Sequence, residues 1–165
     1  MSSVVIVAHN LRSTHNVGSI LRTADGLGVE KIYLTGYTPY PTVDGDSRLP
    51  HLAAKIDKQI AKTALGAEKS VTWEYSDQLE SVIKKLKSSD YKVVALEQSP
   101  KSIPLDEFKA SGRVAVIVGR EVEGLEPEVL NLVDTIIEIP MHGQKESFNV
   151  AIAAAIAAYY LKKLA

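Results

Sequence analysis

Apolar residues in this chain fall into short β-branched runs, separated by stretches in which they recur every three or four positions. Val4–Ala8, Lys31–Leu34, Val71–Tyr75, Tyr91–Leu96, Arg113–Val118 and Thr135–Ile139 have the length and composition of strands. Between them, Ile20, Leu21, Ala24 and Leu27 mark a helix closed by Gly28, and His51–Leu65 has a helical pattern. Leu79, Val82, Ile83 and Leu86 fall on one face of a further helix, with Asp77 and Glu80 spaced as a capping box at its start. Pro127 suits the first turn of a short helix reaching Val133. Strands alternating with helices predict an α/β domain with a largely parallel six-stranded sheet and helices on both faces.

The last stretch, Ile139–Leu164, has a different character. Pro140 and Gly143 break it, Ser147 is placed as the N-cap, and the helix that follows is apolar on every side from Val150 to Tyr160. Such a helix either runs through the core or turns its outer face to a partner. Gly36–Pro50 holds three of the seven prolines and two glycines, and is an exposed loop long enough to be functional or mobile. Pro100–Ala110 is mostly loop, and Gly119–Leu125 is a tight one. Ligands of such sheets bind at the carboxyl ends of the strands, which selects His9–Gly18, Leu96–Pro100, Gly119–Leu125 and Pro140–Asn149.

Composition narrows the picture. A length of 165 residues with 45% hydrophobic and 24% charged residues is that of one globular domain, expected to extend over 1–165 without a separate RNA-binding extension. The absence of cysteine rules out disulfides, thiolate metal sites and cysteine nucleophiles, and fits a cytoplasmic protein. MSSVVIVAH reads as a first strand rather than a signal peptide, and the apolar C-terminal run falls short of the roughly 20 residues that span a bilayer, so no membrane association is expected. A net charge of −1 means that nucleic acid would have to be held by a local patch.

Common chemical signatures are missing. NLRSTHNVGS after the first strand carries one glycine rather than a dinucleotide fingerprint, and Leu125-Glu126 stands where a Walker loop needs Lys-Ser or Lys-Thr. His9, His15, His51 and His142 share no metal-ligand spacing, so no metal is expected, and no Gly-x-Ser-x-Gly elbow occurs. Asn16, Arg22, Glu121, Ser147 and Asn149 remain at or near the selected loops. Taken singly, each reads first as a helix cap, a solvated helix residue or a loop charge.

Taken in order they form a pattern. Asn16-x5-Arg22-Thr-Ala with Gly28-Val29, then Val-Gly-Arg-Glu-x-x-Gly-Leu, then Ile-Pro-Met-x-Gly-x-x-x-Ser-Phe-Asn-Val-Ala, resembles the three motifs of the SpoU or TrmH type of RNA 2′-O-ribose methyltransferases in the SPOUT superfamily. The resemblance covers nearly the whole chain. It implies a C-terminal deep trefoil knot, S-adenosylmethionine held within it, and a homodimer formed through the helices flanking the knot. It makes Arg22 the principal catalytic residue beside the ribose hydroxyl, gives Asn16 the task of holding RNA or orienting Arg22, and completes the site with Glu121, Ser147 and Asn149. Leu96, Gly119, Ile139, Met141 and Phe148 would line the cofactor pocket, with Gly119 and Gly143 letting backbone approach the ligand. Arg120, Phe148 and Ala151 depart from the usual residues of these motifs.

A guanidinium scarcely gives up its proton, so Arg22 is expected to align a phosphate and stabilise the oxyanion, with the proton acceptor left open. Lys55, Lys58 and Lys62, at i, i+3 and i+7, with Lys69, Arg12, His15, Arg48 and His51 nearby, form a candidate RNA patch, although the lysines equally suit a solvated helix face. Transfer RNA is the first choice of substrate and ribosomal RNA the second. The alternatives are an α/β module without catalysis and a knotted RNA-binding protein that does not methylate.

Overall fold

The computed structural model describes residues 3–109 and 112–164. Ala110, the end of the loop expected over Pro100–Ala110, lies outside them. Seven strands, β1 (Ser3–His9), β2 (Lys31–Thr35), β3 (Trp73–Ser76), β4 (Tyr91–Leu96), β5 (Ile103–Pro104), β6 (Arg113–Val118) and β7 (Thr135–Glu138), form one sheet in the order β3-β2-β1-β6-β4-β7-β5. Every pairing is parallel. The helices are α1 (Thr14–Leu27), α2 (Pro50–Ala64), α3 (Ala67–Ser70), α4 (Leu79–Ser88), α5 (Pro127–Leu130) and α6 (Val150–Leu164).

The strand count corrects the six-stranded expectation. β5 is two residues long, Ile103 is exposed, and its Pro104 cannot donate to a ladder, so it survives only at the sheet edge beside β7. No periodicity can be read from two residues. β3 begins at Trp73 rather than Val71, because Val71 N–H closes the single turn of α3 on Ala67. α5 stops at Leu130, short of Val133. The capping box at α4 does not form either: Gln78 occupies the N-cap position and no side chain caps the helix. Its apolar face is nonetheless as expected, with Leu79, Val82, Ile83 and Leu86 all buried.

Alternation along the strands divides the core into two layers. Val4, Ile6 and Ala8 of β1 pack with Ile20, Leu21, Ile60, Ala154 and Leu161 of α1, α2 and α6. Val5 and Val7 pack with α4 and with Val129 of α5 on the other face. The central strands are covered on both sides, which explains their almost unbroken apolar sequences.

α1 lies between α2 and α6, and it carries two of the motif residues. Its N-terminus is capped by Ser13, whose side chain accepts the Asn16 N–H, and it ends at Gly28 in the left-handed region with φ 61°. Gly18 lets α1 approach α2 closely, since a Cβ there would overlap Thr63 and the backbone carbonyl of Ile60. Ala has a helix propensity advantage of about 1 kcal/mol over Gly, but overpacking costs about 1–3 kcal/mol. Gly18→Ala is therefore expected to lower the thermal midpoint by several degrees; a rise in a melting scan would show that the helices part without strain.

Candidate active site

The carboxyl ends of β1, β4, β6 and β7 face the same way, and the segments leaving three of them enclose a cavity of about 500 Å³. Its walls come from Leu96 at the end of β4 with Glu97 and Gln98, residues 119–124 after β6, Ile139, Met141 and residues 146–148 after β7, and Val150 and Ala153 of α6. Leu96, Gly119, Ile139, Met141 and Phe148, all named from sequence for a cofactor pocket, lie in this lining together with Glu121 and Ser147. Gly143 does not; it is exposed, with open space around its Cα. Gly119 is a glycine for a local reason, because a Cβ would strike Leu125 and the Gly124 backbone as the loop folds on itself.

Three separated motif residues meet in one hydrogen-bonded chain. Asn149 Nδ2 donates to Asn16 Oδ1 at 3.1 Å, and Asn16 Nδ2 donates to Glu121 Oε1 at 3.2 Å. Glu121 also accepts the backbone N–H groups of Arg12 and Ser13. A carboxylate is thereby seated on the N-terminus of α1, where the helix dipole and free N–H groups favour negative charge. Partial burial pushes the Glu121 carboxyl up, but the donors from Ser13, its own backbone, Asn16 and Arg12 outweigh that and hold it below its ordinary value.

Asn149, not Ser147, caps α6: its Oδ1 accepts the Ala151 N–H at 2.9 Å. The cap must immediately precede the first helical turn, and that turn starts at Val150. Ser147 instead stands exposed on the cavity wall. Arg22 stands apart. Six residues beyond Asn16, it is turned roughly 120° around the axis of α1, is exposed, and makes no hydrogen bond or ion pair among the described residues.

Several residues to which the sequence assigns no role hold the site together. The His9 ring accepts from Asn10 through Nε2 and pairs with Thr35 through Nδ1 at 2.9 Å, while Asn10 also reaches Glu126. Burial lowers the His9 pKa against the pull of Glu126, so the ring is neutral near pH 7. Asn10 adopts φ 55°, a region that Asn tolerates better than most residues. Arg120, one of the departures from the usual motif, donates through Nε to Gly124 O at 3.1 Å and lies near Glu126, closing its own loop.

The basic residues divide similarly. Lys55, Lys58, Lys62 and Lys69 are exposed along α2 and α3, as are His15 and His51. Arg12 lies 3.5 Å from Glu123 of the cavity wall. Arg48 is committed elsewhere: it pairs with Asp46, donates to the Tyr40 and Pro41 carbonyls and lies over the Tyr40 ring, which organises the 36–50 loop. A loop expected to be functional or mobile is thus cross-linked by its own side chains. No group of three or more His, Asp or Glu residues suited to a metal occurs among the described residues. None of the described helices is long and apolar enough to cross a membrane.

The SpoU rRNA Methylase family model matches residues 3–159. The chain belongs to this family. It is similar to the tRNA (guanosine(18)-2′-O)-methyltransferase of Aquifex aeolicus, 29% identical over 94% of this chain and 67% of that protein. It is also similar to the 23S rRNA (guanosine-2′-O-)-methyltransferase RlmB of Acinetobacter baylyi, 28% identical over 95% of this chain and 58% of that protein. This SpoU-family chain therefore spans about three fifths to two thirds of the length of these relatives. A crystal structure described as an RNA 2′-O ribose methyltransferase superposes with a TM-score of 0.80 at 26% identity, over 99% of this chain and 57% of that one.

Proposed function

We propose that this SpoU-family chain methylates ribose 2′-hydroxyls in RNA with S-adenosylmethionine, acting first on tRNA and second on rRNA. The observation that carries this reading is the Asn149–Asn16–Glu121 chain, which ties the three motifs together beside the cavity. The lining suits the donor. Leu96, Ile139, Met141 and Phe148 offer apolar surface to an adenine, and five carboxylates against the single guanidinium of Arg120 favour a cationic sulfonium and ammonium. S-adenosylmethionine supplies an already activated methyl group, so the protein has to position a hydroxyl and deal with one proton. Arg22 aligns an RNA phosphate and stabilises the developing alkoxide; Asn16 and Asn149 fix the start of α6 against α1; Glu121 holds the cavity loop in place. Named relatives act on a tRNA guanosine and on 23S rRNA, which supports RNA as the substrate class. Incubation with labelled S-adenosylmethionine and separated tRNA and rRNA fractions, followed by nuclease digestion and mass spectrometry, tests this: 2′-O-methylnucleosides are expected, and their absence from both fractions overturns it.

The reading includes a knot. β7 stands beyond β4, whereas the next element, α6, packs over β1 and β6, so the intervening segment doubles back across the strand ends beside the 119–125 loop. We take that return as the threading of a C-terminal trefoil. It also includes a homodimer. Ile152, Ile156 and Tyr159, at i, i+4 and i+7 on α6, are exposed opposite the buried alanines, leaving an apolar stripe for a second copy. Arg22, on the outward face of the adjoining α1, then stands close to the seam and to RNA bound across both copies. Ile156→Glu is expected to halve the mass measured by light scattering without changing the circular dichroism; an unchanged dimer would remove the stripe as the interface. The cytoplasm, where such RNA is abundant, is the proposed location.

RNA is assigned to the face bearing Lys55, Lys58, Lys62 and Lys69 with Arg12 and His15. Each phosphate contact contributes a slope of about −0.7 to −0.9 to the dependence of log affinity on log salt. Removing Lys58 should reduce that slope by about 1 and weaken all RNA sequences alike; a flat salt response in filter binding would take the patch out of consideration.

A further inference from the structure

Two cavity walls belong to loops with few ties to the sheet, and both are fastened to the same place. Glu97 and Gln98, immediately after β4, each reach a different loop. Glu97 Oε2 accepts the Leu125 N–H at 2.9 Å, at the end of the 119–125 loop. Its Oε1 accepts the Gln98 N–H at 2.8 Å, which fixes the carboxylate plane. Gln98 Nε2 donates to the Glu146 carbonyl at 2.6 Å, in the segment that carries Ser147 and Phe148. The post itself is firm, since the Glu97 N–H bonds Ile137 O of β7 at 2.9 Å. Gly124 completes the fit: its φ is 69°, and a Cβ there would overlap the Glu97 carboxylate.

We propose that Glu97 and Gln98 are positioning residues that hold both walls of the cavity in the geometry that binds the methyl donor. The inference rests on S-adenosylmethionine being the ligand of this cavity. Neither residue belongs to the three motifs. Glu97 acts through the backbone of one loop and Gln98 through the backbone of the other, and since both also border the cavity, loop exchange measured without ligand is the readout that separates tethering from direct contact with the donor. The loop after β7 is exposed from His142 to Asn149, and the Gln98 bond gives it a polar tie ahead of the Asn149 cap.

The test combines amide hydrogen exchange without ligand and calorimetric titration with S-adenosylmethionine, on the full chain carrying Glu97→Ala, Gln98→Ala or Gln98→Glu. Glu97→Ala is expected to speed exchange in the peptide containing Leu125, and Gln98→Ala to speed it across 145–149. Each should weaken binding about tenfold. Gln98→Glu has nearly the same shape but aims an acceptor at the Glu146 carbonyl, so it should speed exchange across 145–149 more than Gln98→Ala does, an order that lost packing alone would not produce. Gln98 is exposed, so its variants report even where Glu97→Ala fails to fold. Unchanged exchange in the two loops, or unchanged affinity despite faster exchange, overturns the proposal. Wild-type protein that binds no S-adenosylmethionine overturns it too, and the ligand assignment with it; in that case the exchange data show separately whether the two ties exist.

Discussion

Arg22→Lys is expected to reduce methyl transfer at least about a hundredfold while leaving the melting temperature within a degree or two of wild type. Arg22 is exposed and unbonded among the described residues, so the fold loses little with it. Lysine retains the charge but not the planar fork that can meet a phosphate and a hydroxyl together. Losing one well-placed donor to a developing oxyanion typically reduces turnover by about 10²–10³. Turnover should fall more than the affinity for S-adenosylmethionine, because Arg22 does not line the cavity. Single-turnover assays at saturating donor distinguish the two, and wild-type rates in the lysine variant would end the proposed role.

Glu121→Gln should act on both stability and activity. The carboxylate receives three donors at the start of α1 and fixes the loop that forms one cavity wall. Hydrogen bonds to a charged group contribute about 1.5–3 kcal/mol each when well shielded, and this site is partly open, so a net loss of about 1–2 kcal/mol is expected at pH 7. Because folding lowers the Glu121 pKa, its stabilisation is fully present above the unfolded carboxyl pKa of about 4.3 and fades as pH falls through the lower folded value. The stability gap between wild type and Glu121→Gln should therefore be constant from pH 6 to 8 and close below about pH 4. A gap that persists in acid would mean that shape rather than charge holds the loop. Activity should fall with the gap open, since the loop carries the cavity wall.

The central strands were legible because β1, β4 and β6 are buried on both faces and therefore nearly pure Val, Ile and Ala. α4 was legible through its strict apolar stripe. The cavity residues came from motif order, and Leu96, Gly119, Ile139, Met141 and Phe148 do lie around one space. What failed to show was of another kind. β5 leaves no periodic trace. Ser147 and Asn149 are both good caps, and only the true start of α6 at Val150 decides between them. Glu97, Gln98 and Asn10 act through backbone groups far away in sequence, and a single chain of letters gives no sign of such pairings. Asn16 and Arg22 share α1, yet six residues of helical rotation turn them in different directions.

β1 pairs with β6 from Ser3 opposite Arg113 to Ala8 opposite Val118, so the first strand waits for more than a hundred further residues before its second neighbour exists. At synthesis rates of about 5–20 residues per second, the nascent chain spends several seconds with β1 joined only to β2 and its other edge open. Val4 to Ala8 is a β-rich, uncharged segment in that interval, the kind that pairs with stray strands. Ribosome-bound intermediates ending before Arg113 consequently leave that strand edge open to aggregation.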